Sequence, residues 1–161
     1  TPVFAKDVFD VGPGMLGLIS GMDGLGALIA TIVLASLAGL SRLGMVFVGG
    51  SMVFGAGVLF FSQSPSYQFA IPALIIVGAG TAGFAAMQTT LTVAVAEPQM
   101  RGRAMGAVAL GIGVIPLGMA FVGGVSEWLG APQTLGLTSI IGMILIAIIV
   151  LFHPDLRRSR Q

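Results

Sequence analysis

The chain has 161 residues, 56% of them hydrophobic and 8% charged, with a formal net charge of +1 and a mean hydropathy of +1.05. Soluble globular domains carry about 25% charged residues, so this chain cannot clothe itself for water and its solvent is lipid. Cysteine is absent, which excludes disulfides and thiolate metal sites, and no basic stripe with interleaved aromatics is present to bind nucleic acid.

In chain order, residues 1–13 hold Lys6, Asp7, Asp10, Gly12 and Pro13 and predict an exposed loop. Five apolar segments follow, at roughly 14–37, 44–62, 69–96, 104–126 and 134–152. A bilayer core about 30 Å thick takes roughly 20 helical residues, so each segment is long enough to span it. Transmembrane barrel strands alternate over about 10 residues; these runs are longer and do not alternate. The expected fold class is therefore all-α, a polytopic transmembrane helix bundle with five spanning helices.

The turns between segments set a topology. The first turn carries Arg42, the loop after the third segment carries Arg101 and Arg103, and the tail after the fifth carries Arg157, Arg158 and Arg160. Threading the segments puts all six on one face and only Lys6 on the other. By the positive-inside bias, the 38–44 turn, the 97–103 loop and the 153–161 tail are expected in the cytoplasm of a cell whose plasma membrane holds the chain. Tyr67 and Trp128 fall at the opposite face, where amphipathic rings favour the interface. His153 sits at the end of the last segment beside Pro154, an interfacial position.

The segments differ in kind. In the first, Asp23 lies about nine residues in, roughly 14 Å at 1.5 Å per residue. A carboxylate at that depth costs several kcal/mol by most estimates unless paired, hydrated or protonated. Ser20, Gly26, Ala27 and Ala30 share its helical face, whereas Met22, Leu25, Ile29 and Ile32 form a bulky face expected to meet lipid. Asp23 is thus a candidate proton-coupling or cation-attracting carboxylate, or a structural acid held by another helix. The third segment carries Thr81, Gln88, Thr89, Thr90 and Thr92; Thr81, Gln88 and Thr92 share one stripe with Ala85 and are candidate cavity-lining positions, or else inter-helix hydrogen-bonding groups.

The fourth segment holds Gly106, Gly111, Gly113, Gly118, Gly123 and Gly124, which predict close packing, and Pro116, which predicts a bend because its ring removes an amide donor. Glu97, Arg101 and Arg103 are candidates for a cytoplasmic latch. Gly17/Gly21 and Gly102/Gly106 fit the small-xxx-small template for helix approach, a match that chance alone produces in a chain with 25 glycines. The fifth segment, rich in Ile and Leu, reads as lipid-facing. No Ser/His/Asp triad, metal cluster, phosphate loop or dinucleotide fingerprint is present, so no enzyme activity, metal or cofactor is expected.

The stretch Gln88-Thr89-Thr90-Leu91-Thr92-Val93-Ala94-Val95-Ala96-Glu97-Pro98-Gln99-Met100-Arg101-Gly102-Arg103-Ala104-Met105-Gly106 resembles the tenth helix and following loop of major facilitator superfamily exporters. Pro116-Leu117-Gly118 in a Gly-rich segment resembles their eleventh helix. Pro2-Val3-Phe4-Ala5-Lys6-Asp7-Val8 resembles the end of the seventh, and Leu16-Gly17-Leu18 with Gly24-Leu25-Gly26-Ala27-Leu28 resembles the eighth. The similarity is greatest to the enterobactin-exporter-like and drug-exporter branch. It implies a twelve-helix transporter of two halves, this chain holding helices 8–12 of the C-terminal half and requiring an N-terminal half as partner. It assigns the third segment to the cavity wall, the first and fourth to the interface between halves, and the second and fifth to the periphery. Ser41-Arg42-Leu43-Gly44-Met45 departs from the family's Asp-Arg-x-Gly-Arg loop, and Asp23 stands where the family has an apolar or small residue.

The expected function is secondary active export of small organic molecules, of drug or siderophore type, proton-coupled and by alternating access. The alternative is a self-contained five-helix membrane protein acting as a homodimer or accessory subunit. Thr1-Pro2-Val3-Phe4 reads as the continuation of something longer, which favours the first.

Overall fold

The computed structural model describes residues 13–36 and 43–152; Lys6, Arg42, His153, the 157–160 tail and the segment at 2–8 lie outside them. The described residues form α1 (Pro13–Ser36), α2 (Leu43–Ser62), α3 (Tyr67–Val95), α4 (Arg101–Gly113), α5 (Ile115–Leu129) and α6 (Ala131–Phe152). α4 and α5 are two pieces of one apolar span, Arg101–Leu129. Gly44–Ser62, Gln68–Val95 and Ala131–Phe152 are also long and apolar enough to cross a membrane, and α1 adds the apolar run Gly21–Ser36. The all-α membrane bundle expected from the sequence is the observed fold.

Helix is the outcome because lipid offers no partner for a free amide or carbonyl, so each segment must satisfy its own backbone. The hydroxyls follow the same rule. Ser51 donates to the Phe47 carbonyl at 2.8 Å, Thr90 to Ala86 at 2.8 Å and Thr138 to Thr134 at 2.8 Å. A serine or threonine is tolerated in these spans because its one donor folds back on its own helix.

Several boundaries move outward from the sequence expectation, two of them at helix starts with a local cause. The fourth span starts at Arg101 rather than near 104: the Met100 amide closes a turn on the Glu97 carbonyl (2.8 Å), and the Ala104 amide then opens the helix on Met100 (2.9 Å). The last helix starts at Ala131 rather than near 134. Pro132 fits a first turn, where no amide donor is needed. Gly130, at φ 82, makes the reversal that lets α6 follow α5 directly; a side chain there would carry left-handed strain.

The close helix approaches lie on glycines. α2 and α3 run antiparallel, with Gly50 opposite Gly83 and Phe84, Phe54 opposite Gly80, and Gly57 opposite Val77. A Cβ on Gly50 would stand 2.8 Å from the Phe84 backbone nitrogen, and one on Gly57 2.8 Å from that of Val77. The Phe47 and Phe84 rings, 5.2 Å between centroids, extend the seam, a separation within the favourable range for aromatic pairs. Near the α2–α3 turn, Phe61, Ala70, Ala73 and Leu74 are buried together, with Met22 of α1 and Ala131 and Leu135 of α6 packed against them. Elsewhere large side chains such as Ile32 and Leu151 are exposed, as a lipid solvent allows.

Gly49 and Gly50 give a direct check of this packing. Nothing lies within 4 Å of a Cβ on Gly49, so Gly49→Ala is expected to be neutral or to stabilise by up to about 1 kcal/mol through helix propensity. Gly50→Ala meets backbone and is expected to destabilise by about 1–3 kcal/mol. Mixed-micelle unfolding of the two variants measures the difference.

α6 packs against α2. Gly55 faces Met143 and Ser139; Gly136 faces Ser62, Gln63 and Leu59. The pairing again runs antiparallel. Ser139 is the exception to the self-bonding rule: its Oγ donates across the interface to the Gly55 carbonyl at 2.5 Å. Inter-helix hydrogen bonds in membranes average about 0.6 kcal/mol with a maximum of about 1.7. Ser139→Ala is therefore expected to cost about 0.6–1.7 kcal/mol in the same unfolding assay, and a loss above 3 kcal/mol would mean that the serine also holds something else.

Candidate functional site

Asp23 sits where α1 crosses α3. A Cβ on Gly78 would overlap the Asp23 carbonyl, and one on Gly26 would overlap the Ile75 carbonyl, so the two backbones touch without side chains between them. Met22 packs against the buried cluster at the start of α3, which places the beginnings of α1 and α3 at the same end. The carboxylate itself is half-buried, but its Oδ1 is fully enclosed and has no hydrogen-bond partner among the described residues. Buried oxygens are ordinarily paired; this one is not.

Gly78, Thr81, Ala85, Gln88 and Thr92 are spaced three, four, three and four residues apart and share one stripe of α3. The crossing at Gly78 therefore puts the backbone of Asp23 against α3 one turn before Thr81, the first polar residue of the stripe identified in the sequence. Thr81 follows about 4.5 Å along the helix, Gln88 about 15 Å and Thr92 about 21 Å. Thr81 and Ala85 are exposed, and Gln88 and Thr92 are half-buried. Thr81 donates its hydroxyl hydrogen to the Val77 carbonyl (2.9 Å) and Thr92 to the Gln88 carbonyl (2.7 Å). Both oxygens keep their lone pairs, so the stripe presents acceptors.

Other sequence-chosen residues fall elsewhere. Glu97 lies in the turn after α3, and Arg101 and Arg103 occupy the first turn of α4 rather than a loop; all three are exposed. Among the described residues they form no ion pair, and the Arg103 guanidinium meets only the Met100 sulfur at 3.9 Å. Two cations at the positive end of a helix dipole are disfavoured by about 0.3–1 kcal/mol each, so they do not serve the helix start. The break near Pro116 lies at Val114, between α4 and α5, where the Leu117 and Gly118 amides both bond to the Val114 carbonyl at 3.0 and 3.2 Å. Pro116 has no amide hydrogen to return to the preceding turn. A shallow open groove beside Phe121, Val125 and Trp128 of α5 does not include Asp23 or the stripe.

Several packing expectations are corrected. Met22, assigned to the lipid face, is half-buried against the core; Leu25, Ile29 and Ile32 are exposed as expected. The template pairs Gly17/Gly21 and Gly102/Gly106 meet nothing within 4 Å, and the tight crossings use Gly26, Gly50, Gly57, Gly78 and Gly80 instead. The fourth span, expected to be closely packed, has no buried residue, and Gly106, Gly111, Gly113, Gly118, Gly123 and Gly124 all open into free space among the described residues. The last helix faces lipid only in part, burying Thr134, Gly136 and Ser139.

The residues that sequence reasoning missed are Gly26 and Gly78 as the pair that docks Asp23, with Gly80 and Gly83 as the seam to α2. A signal existed: Gly78-Ala79-Gly80-Thr81-Ala82-Gly83 is a run of six small residues. In a helix such a run covers every side, which is what α3 needs to receive α1 and α2 at one level. A family model described as Major Facilitator Superfamily matches residues 1–161. No curated protein matches the chain.

Proposed function

Because this chain belongs to the major facilitator superfamily, a multi-pass membrane transporter family, we propose that it forms the C-terminal half of a secondary active exporter of small organic molecules, driven by protons, with Asp23 as the coupling acid. The observation that carries this reading is the enclosed Oδ1 of Asp23, which has no hydrogen-bond partner among the described residues, on the helix that crosses α3 one turn before the stripe. A group that exchanges protons during a transport cycle must lie within the span and be free of a permanent counter-charge; α1, α2, α3 and α6 hold no Lys, Arg or His.

Two features support the half-transporter arrangement. The glycines of α4 and α5 open into free space, as expected of a helix that meets a second bundle. The polar stripe of α3 is partly exposed between the crossings, as expected of a wall facing a central path. Secondary transporters of this kind place the substrate near the midplane and rock two repeats about it. We place the Arg42, Arg101 and Arg103 face, and with it the C-terminus, in the cytoplasm, and the chain in the plasma membrane. Substrates of drug or siderophore size are the proposed cargo. The self-contained five-helix alternative is not favoured by the family match.

The test is efflux from vesicles carrying the complete protein under an imposed pH gradient. Efflux is expected to rise with the gradient and to stop when an ionophore collapses it. Efflux indifferent to the gradient overturns proton coupling, and absence of any substrate movement overturns the transporter reading itself.

A further inference from the structure

We propose that the groove on the last turns of α5 seats a phospholipid with a primary ammonium headgroup, with Glu127 accepting the ammonium and Trp128 donating to the phosphate. This lies beyond the transport reading and uses neither Asp23 nor the α3 stripe. It starts from a charge placed against its own helix. Glu127 stands in the last turn of α5, the negative end of the helix dipole, where an anion is disfavoured by about 0.3–1 kcal/mol. Its side chain is exposed. Gly136 of α6 faces Ser62 and Gln63, so the α2–α3 turn lies at the same end of the bundle. Neither the 63–67 turn nor residues 128–133 hold a Lys, Arg or His. Arg101 and Arg103 are at the far end of the same span. The carboxylate therefore serves neither its helix nor an ion pair among the described residues.

The surface beside it is shaped for a chain. Phe121, Gly124, Val125 and Trp128 are three, one and three residues apart and share one face. Gly124 leaves the space between the two rings open, since a Cβ there would meet nothing within 4 Å. Ala120 and Glu127 flank it on the next stripe. From Ala120 to Trp128 the groove runs about 12 Å along the helix, against about 15 Å for one leaflet of the bilayer core. It is apolar along its length and anionic only at its end, the polarity gradient of a single lipid. Trp128 is 91% exposed, so no described helix covers the groove. Gly106, Gly111, Gly113 and Gly118 lie outside it and remain available to a second bundle.

The headgroup follows from the chemistry at that end. A carboxylate repels an anionic headgroup. A trimethylammonium headgroup brings positive charge but no hydrogen to donate. A primary ammonium brings both, and charge-assisted hydrogen bonds are the stronger kind. The Trp128 indole N–H is a donor only, and such rings settle at headgroup level; the phosphate of the same lipid supplies its acceptor. A protein helix laid in the groove would have to bring its own cation to Glu127.

The probes are phosphatidylethanolamine, phosphatidylcholine and phosphatidylglycerol with brominated acyl chains, added to the complete protein in mixed micelles. The readout is quenching of Trp128 fluorescence, taken as the difference from Trp128→Phe. The ethanolamine lipid is expected to quench at about threefold lower mole fraction than either of the others, a preference of the size that an exposed ion pair gives. Glu127→Gln keeps the size of the side chain and should bring the ethanolamine lipid level with the choline lipid. Gly124→Leu fills the groove and should raise the mole fraction needed for all three. Equal quenching by the three lipids in the unaltered protein means an unspecific lipid annulus and overturns the proposal. So does a preference that survives Glu127→Gln, and so does the absence of quenching by any lipid, which means that protein covers the groove. Thermal melting checks each variant, and Glu127→Gln, an exposed change, carries the test if Gly124→Leu does not fold. No substrate and no gradient are used, so the outcome is independent of the transport reading.

Discussion

A methyl group on Gly78 is expected to separate α1 from α3. Its Cβ would overlap the carbonyl of Asp23, and the Ala27 nitrogen stands 2.9 Å away. Both are backbone atoms in the middle of a helix, with no flexible end to swing aside. The helices must part, and overpacking of this kind costs typically about 1–3 kcal/mol and occasionally more. Gly78→Leu should exceed Gly78→Ala, because each added carbon drives the backbones further apart. In mixed-micelle unfolding the expected loss is about 2 kcal/mol or more for Gly78→Ala, against a neutral result for Gly142→Ala, whose Cβ meets nothing within 4 Å. A further consequence separates this site from Gly50. Parting α1 and α3 removes Asp23 from the stripe, so Gly78→Ala should lose gradient-driven transport even in the fraction that remains folded. Normal stability and transport in Gly78→Ala would mean that the helices do not cross there.

Asp23→Asn in the complete protein carries the second large effect. The amide keeps the size of the carboxyl and cannot take up or release a proton. Under the coupling proposed here, transport should fall to the rate seen without a pH gradient, a loss of at least about tenfold, or about 1.4 kcal/mol of driving advantage. Asp23→Glu should retain part of the coupling, since the carboxyl remains and only its reach changes. If Asp23 were only a structural acid, the pattern would reverse: Asp23→Asn would shift melting while the response of transport to pH stayed as it was. The pair of readouts decides between the two roles.

Much of the fold is legible in the sequence because lipid imposes it locally. An apolar run of the right length must be helical, since nothing else satisfies its backbone. The third span and its stripe, Thr81 to Thr92, follow from spacing alone, because side chains three and four apart share a face whatever surrounds the helix. The small face of α1, with Gly26, Ala27 and Ala30, turns inward as its composition implies. Met22 does not follow its composition: it stands beside Asp23 on the edge of that face and packs on Phe61, Ala70, Ala73 and Leu74. The Gly-rich fourth span reads from its composition as closely packed, and the described chain leaves it uncovered.

Glycine is the clearest case of what spacing cannot decide. Of the adjacent pair Gly49 and Gly50, one faces open space and the other the α3 backbone, and nothing in their neighbours along the chain separates them. Gly17/Gly21 fits a helix-approach template and touches nothing, while Gly26/Ala30 and Gly78/Ala82 fit it no better and their glycines make the closest crossing. Close approach is a property of two helices together, so a template read on one cannot find it.

By itself the sequence determined a bundle of apolar helices and the register of the α3 stripe, both consequences of local periodicity and of what each segment must do in lipid, and it set the expectations for the depth of Asp23 and the side of the arginines. Only the tertiary structure decided that the Asp23 backbone meets α3 at Gly78, one turn before the stripe. That juxtaposition is made by two glycines fifty-two residues apart, Gly26 and Gly78, and the absence of a side chain acquires meaning only when another backbone fills the space.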